Sequence, residues 1–161
     1  MVAFFSWTIL LAPLCVAMLI WFVGLYRKRL SAALAISGLL ISFLSSAIIF
    51  FHVLTEQWTL PWEVSITWIS LPGFTIPFGI LIDRLSLLMT LIVTSVGSAV
   101  FLYSLGYMAE DEGYSRYFAC LSFFAFSMLG IVLANNLIEI FIFWELVGLS
   151  SYLLIGHWFE K

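Results

Sequence analysis

Glu145 is the residue of this chain with the most chemistry open to it. It lies in the run Asn136–His157, which is long enough to cross a bilayer and is otherwise almost wholly apolar. A carboxylate near the middle of such a span costs about 2.5–3.5 kcal/mol to insert. Residues that costly face a protein interior or a water-filled path, and ion or proton handling is the first function they suggest. The alternative is a structural carboxyl group, protonated and hydrogen-bonded between helices. At about 100° per residue, Phe141, Glu145, Gly148, Leu149, Tyr152 and Gly156 share one helical face. Gly148 and Gly156 leave room beside the carboxylate, and Tyr152 can hydrogen-bond to it or to water near it. Glu139 sits about 240° away around the same helix. At the helix start its negative charge suits the positive end of the dipole.

Other polar residues are expected to be structural first. Asp83 reads as an N-cap and Arg84 as a snorkelling cation at the head of a span, with a role in proton exit as the alternative. His52 and His157 fall near span ends, where His157 can titrate near neutral pH. Glu110-Asp111-Glu112 reads as a solvated loop. Cys15 and Cys120 lie in different apolar segments with no CxxC partner, so both are expected to be buried free thiols. No glycine-rich phosphate loop, nucleophile–base pair, metal-ligand cluster or cysteine run for an iron–sulfur cluster is visible. With only six Lys and Arg, nucleic-acid binding is excluded as a reading.

These residues need elements to hold them. The 161-residue chain is 64% hydrophobic and 9% charged, against about 25% charged in a soluble domain. It is therefore expected to be an all-α integral membrane protein, because lipid demands that backbone polar groups be satisfied within the segment. Five spans are predicted: Ala3 to Leu25, with a possible kink site at Pro13; Ser31 to Leu54; Asp83 to Tyr107; Arg116 to Ala134; and Asn136 to Phe159. Asn135-Asn136 must then form a tight turn between the last two. Between Pro61 and Ile80, Val64, Ile66 and Trp68 alternate with Ser65 and Thr67. Pro72-Gly73 suits a type II turn, and Phe74, Ile76 and Phe78 alternate again. This segment reads as a short β-hairpin on the outer surface, with Pro77 marking an edge strand. Residues 1–82 thus form two leading helices and the hairpin, and residues 83–161 the remaining three helices.

Arg27, Lys28 and Arg29 place the first loop on the cytoplasmic side, with the N-terminus outside and Lys161 inside. The absence of a basic residue before the first span argues against a cleavable signal peptide. Small residues recur as stripes: Ser31, Ala35, Gly38, Ser42 and Ser45 in the second span, and Ser86, Thr90, Thr94, Gly97 and Ser104 in the third. Tight helix packing is the favoured reading of both, and a hydroxyl-lined water path the rival.

The run Trp144-Glu-Leu-Val-Gly-Leu-Ser-Ser-Tyr-Leu-Leu-Ile-Gly156 resembles the signature of subunit L of NADH:quinone oxidoreductase, respiratory complex I. Mitochondrial and chloroplast counterparts and large subunits of multisubunit cation/proton antiporters share it. Ile82-Asp-Arg-Leu-Ser86, Tyr103-Ser-Leu-Gly-Tyr-Met108, Tyr114-Ser-Arg-Tyr-Phe118 and Ala134-Asn-Asn-Leu137 follow that family's order and approximate spacing. Val147-Gly148 favours the complex I branch over the antiporter branch. The resemblance implies a proton-translocating membrane-arm subunit that assembles with other antiporter-like subunits. NADH, FMN, iron–sulfur clusters and quinone would be held by partner subunits, and no cofactor by this chain. It also implies that Glu145 pairs with a lysine on a later broken helix, whose charge couples to proton movement. That lysine is absent, since only Lys28 and Lys161 are present. His157 also stands where an aromatic residue is more usual in the family. The expectation is an N-terminal piece, a truncated reading frame, or one part of a split subunit, in the inner membrane of a cell, with mitochondrial or thylakoid membranes as alternatives. An antiporter subunit and a non-transporting scaffold are the rival functions.

Overall fold

Apolar runs this long satisfy their backbone as helices rather than as short barrel strands, and five such helices are present among the described residues. The computed structural model describes residues 2–24 and 27–158. Helix α1 is Val2–Leu19, continued by a π-helical turn Ile20–Gly24. Helices α2 (Lys28–Leu54), α3 (Arg84–Tyr107), α4 (Tyr114–Leu133) and α5 (Leu137–Ile155) follow, the last closed by a 3-10 turn Gly156–Trp158. All five are long and apolar enough to cross a membrane. Helix α1 runs unbroken through Pro13. The predicted ends at Leu25 and Phe159, and Lys161, lie outside the described residues.

Helix α4 is the hub. It packs against α1, α2, α3 and α5, and 56% of its apolar window is buried, against 17% for α5. Helix α5 leans on α4 as its one extensive helical neighbour. Two apolar clusters fill the bundle. One, near the Arg27–Arg29 loop, joins Val16, Ile20, Leu39, Phe101 and Phe118; the other, near the hairpin, joins Ile9, Ile49, Ile80, Leu129, Leu133 and Phe143.

The small-residue stripes are packing surfaces. A Cβ on Gly38 would lie 2.7 Å from Val16 Cγ2, and one on Gly97 3.0 Å from Leu39 Cδ2. The Ser42 hydroxyl donates across to the Ile9 carbonyl at 2.9 Å, and Ser31 donates to Ser115 at 2.8 Å. Thr90, Thr94 and Ser104 donate to carbonyls one turn back, the local bond such hydroxyls make in helices. Hydroxyls bonded in this way are satisfied as donors within the bundle, as close helix packing requires.

The hairpin forms as β1 (Trp62–Leu71) and β2 (Phe74–Ile82), antiparallel from Trp62↔Ile82 to Leu71↔Phe74, with a bulge between Thr67 and Ile69. Gly73 has φ 82°, the left-handed position a type II turn requires. In a two-stranded ribbon each strand is an edge, so Pro77 is tolerated. Strand β2 touches α1, α3 and α4, and buries Ile80 and Ile82; β1 is mostly exposed. The hairpin therefore sits at the end of the bundle where α1, α3 and α5 begin. One expectation is corrected: Cys120 is buried but Cys15 is exposed, since a small hydrophobe suits a lipid-facing position as well as a packed one. Helix α4 starts at Tyr114, close to the expected Arg116, and the Tyr117 N–H bonds to the Gly113 carbonyl at 2.9 Å.

Candidate functional site

Helix α5 begins where Asn136, in extended backbone, turns its side-chain oxygen onto the Glu139 N–H at 2.9 Å. This N-cap satisfies one of the four orphan donors of the first turn. Glu145 is the ninth of the helix's 19 residues and is exposed, as are Phe141, Trp144, Gly148, Leu149 and Tyr152. A Cβ on Gly148 would meet nothing within 4 Å. The part of that face from Phe141 to Leu149 is thus a single exposed surface, whereas Tyr152 and the half-buried Gly156 border a cavity lined also by Trp21, Arg116 and Cys120. The structure brings Glu145 together with Gly148 and Tyr152 as neighbours on that face, and supplies no partner for the carboxylate from α1 to α4.

The remaining candidates lie elsewhere. Asp83 caps α3: its carboxylate accepts the Ser86 N–H at 2.7 Å, while the Ser86 hydroxyl accepts the Asp83 N–H at 2.7 Å. The Ser86 N–H holds the Asp83 carboxyl below its ordinary pKa. Arg84 is exposed beside it. Helices α3 and α5 share no packed interface, so neither residue meets Glu145. His52 bonds through Nδ1 to Gln57 and stacks on Trp58 with ring centroids 4.3 Å apart.

His157 is buried at the opposite end of α5 from Glu139, and its partner corrects the reading of the acidic loop. Asp111 is no freely solvated charge. Its carboxylate lies 3.1 Å from His157 Nε2 and accepts from Trp158 Nε1 at 2.6 Å and from the Gly113 N–H at 2.7 Å. Arg116 donates to the His157 carbonyl at 3.0 Å, and Lys28 Nζ to the Asp111 carbonyl at 2.7 Å. The Trp158 indole N–H first, and the His157 ring after it, bring the Asp111 carboxyl down to about 2.

The cluster that sequence reasoning passed over surrounds Glu139, which is 2% exposed. Its Oε2 accepts the Asn135 N–H at 3.2 Å, the Gly79 N–H of β2 at 3.4 Å and the Asn136 side-chain amide at 3.4 Å. That amide also donates to the Pro77 carbonyl at 2.9 Å, and the Asn135 amide donates to Glu63 of β1 at 2.9 Å. Ala134 bridges Ile80. A Cβ on Gly79 would come within 2.5 Å of Asn135 Nδ2 and 2.6 Å of the Val64 carbonyl. The available signal was Gly79 itself, since glycine inside a strand marks a close backbone approach. Among the described residues no group of three His, Cys, Asp or Glu is placed to hold a metal ion.

Comparison with known proteins adds a family context. Residues 68–118 match the family described as NADH-ubiquinone oxidoreductase (complex I), chain 5 N-terminus. Residues 134–161 match the family described as NADH:quinone oxidoreductase/Mrp antiporter, TM. The chain is 43% identical to the chloroplastic NAD(P)H-quinone oxidoreductase subunit 5 of Anthoceros angustus, over 97% of this chain and 22% of the relative. It is 43% identical to that of Poa pratensis, over 96% of this chain and 23% of the relative. It is 40% identical to that of Zygnema circumcarinatum, over 98% and 23% respectively. The chain thus spans less than a quarter of the length of these relatives.

Proposed function

We propose, from this homology to the N-terminal region of NAD(P)H-quinone oxidoreductase subunit 5, an antiporter-like membrane-arm subunit of complex I, that the chain forms part of such a subunit and contributes Glu145 to its proton path. One observation carries the reading. A carboxylate stands at mid-span on a helix face that none of the other four helices covers. Bare lipid against that face would cost about 2.5–3.5 kcal/mol for the charge. The remainder of the subunit, another membrane-arm subunit or water would meet it in the assembled complex. Gly148 keeps the neighbouring surface open for that contact. An approaching cation would pair with Glu145, and its withdrawal would leave the carboxyl group to exchange a proton with water. Alternation of those two conditions is what moves a proton.

Electron transfer belongs, on this reading, to other subunits of the complex, which hold NAD(P)H, FMN, iron–sulfur clusters and quinone. The Arg27–Arg29 end faces the compartment in which the chain is made, following the positive-inside rule, and the hairpin faces the opposite side. The membrane is an energy-converting one; the chloroplastic relatives point to thylakoids as readily as to an inner membrane. A second reading, a subunit of a multisubunit cation/proton antiporter, has support in the family matched by residues 134–161. Counter-ion flux without quinone reduction would favour it.

The test is Glu145→Gln in the full-length subunit within the assembled complex. Loss of a positioned proton carrier should slow translocation on the order of 10²-fold, with assembly retained. Unchanged translocation would instead identify Glu145 as a packed carboxyl group of a scaffold.

A further inference from the structure

The way α5 is held raises a question that Glu145 alone does not answer. A helix resting on one neighbour can roll along the line of contact or slide in depth. Along that line, Phe143 plugs into α4 at Gly130, where a Cβ would lie 2.1 Å from the ring. Within this chain the remaining restraints on α5 lie at its ends. At one end His157 and Trp158 bond to Asp111. At the other stands Glu139.

We propose that Glu139 is a positioning residue: by bonding α5 to the β-hairpin it fixes the rotation and depth of the helix, and so the place of Glu145. The proposal rests on the reading of Glu145 given above. Three features carry it. First, Glu139 is almost fully buried, and every partner of its Oε2 is an N–H donor, contributed by β2, by the inter-helix turn and by the Asn136 side chain. Such a cradle offers the carboxyl oxygen donors and no acceptor. Second, the hairpin is tied into the same cluster from both strands, through Pro77 and Glu63. Third, the junction has no slack, since Gly79 has no space for a methyl group. Glu139 and Glu145 are six residues apart on one continuous helix, about 9 Å along its axis. A rigid helix transmits what is fixed at one point to the other. Slippage by one residue would turn the face of Glu145 by about 100°.

The experiment uses the full-length subunit in its assembled complex, with Glu139→Gln, Glu139→Ala and Gly79→Ala. The glutamine variant keeps the volume and one acceptor oxygen, so it serves where alanine prevents assembly. The Gly79 variant crowds the cluster while leaving the carboxylate in place. Proton translocation per assembled complex and its pH–rate midpoint are read for each. A misplacement of about 1 Å can cost about 10²-fold in a positioned reaction. We expect a loss between about tenfold and 10²-fold, a displaced midpoint, and glutamine milder than alanine. A role in folding alone would lower the amount of complex and leave the midpoint of what assembles unmoved; that result overturns the proposal. So does parental behaviour of both Glu139→Gln and Gly79→Ala. Run beside Glu145→Gln, the two readings separate. If Glu145→Gln abolishes translocation and these variants do not affect it, this proposal falls alone. If Glu145→Gln has no effect, the reading of Glu145 falls and takes this one with it.

Discussion

Gly130→Ala tests whether the seat of α5 on α4 is as tight as the structure implies. The new methyl would stand 2.1 Å from Phe143 Cδ1, 2.2 Å from Cε1 and 2.4 Å from Cγ. Ordinary contact begins at 3.4 Å, so the separation must grow by about 1.3 Å (3.4 minus 2.1). The ring has little room to retreat. It is 2% exposed, and Phe126 and Phe78 hold it with ring centroids at 5.5 Å and 6.3 Å. Forcing the ring off its rotamer costs about 0.5–1.5 kcal/mol, and overpacking a filled site costs about 1–3 kcal/mol in all. The alternative is to push α5 off α4, which moves Glu145 as well. We expect a loss of about 1–3 kcal/mol in the thermal or denaturant stability of the protein in lipid nanodiscs. Phe143→Leu removes the ring that the methyl strikes. In a double-mutant cycle it should recover at least about 1 kcal/mol of the penalty of Gly130→Ala. A loss below about 0.5 kcal/mol, the range of changes away from packed features, or no recovery in the cycle, would refute the tight seat.

Two predictions concern the ends of the bundle. The Asp111 carboxyl is held near 2, below its ordinary 3.8, so its contribution is complete above the ordinary value and is lost as pH falls from about 4 through about 2. Stability measured from pH 7 to pH 2 should show Asp111→Asn weaker than the parent at neutral pH, with most of the gap closed at the acid end; a constant gap would be against it. Asp83→Ala removes the bond from the Ser86 N–H to the Asp83 carboxylate, leaves the residue-83 N–H bonded to the Ser86 hydroxyl, and should cost about 0.5–2 kcal/mol in the same unfolding assay, whereas Asp83→Asn, a good cap in its own right, should recover most of it.

The five helices were legible because a bilayer imposes one rule, long apolar runs, and the chain obeys it. The hairpin was legible from the alternation around Val64 and Ile66 and from Pro72-Gly73. The face shared by Glu145, Gly148 and Tyr152 was legible from helical period, but its direction was not. Lipid tails are as apolar as leucine, so hydropathy does not separate a lipid-facing or partner-facing surface from a packed one. For the same reason Cys15 read as buried. The burial of Glu139 and the bonds of Asp111 were hidden for a different reason. Partners that complete each cluster come from distant sequence, Gly79 at a separation of 60 residues and His157 at 46. A charge in a loop or a first turn carries no local mark of such a partner.

The central place of α4 also bears on biogenesis. Helices α1 and α3 share no packed interface and meet chiefly through α2 until α4 enters between them. A nascent chain delivers its N-terminal part first. Until Tyr114–Leu133 has left the translocation machinery, Ser31 lacks Ser115 and Phe101 lacks Phe118, its edge-on ring partner at 6.2 Å. The first three helices are therefore an open arc awaiting a keystone that arrives fourth. Faults in α4 should surface as nascent chains held by the insertion machinery or cleared by membrane proteases, before any question of translocation arises.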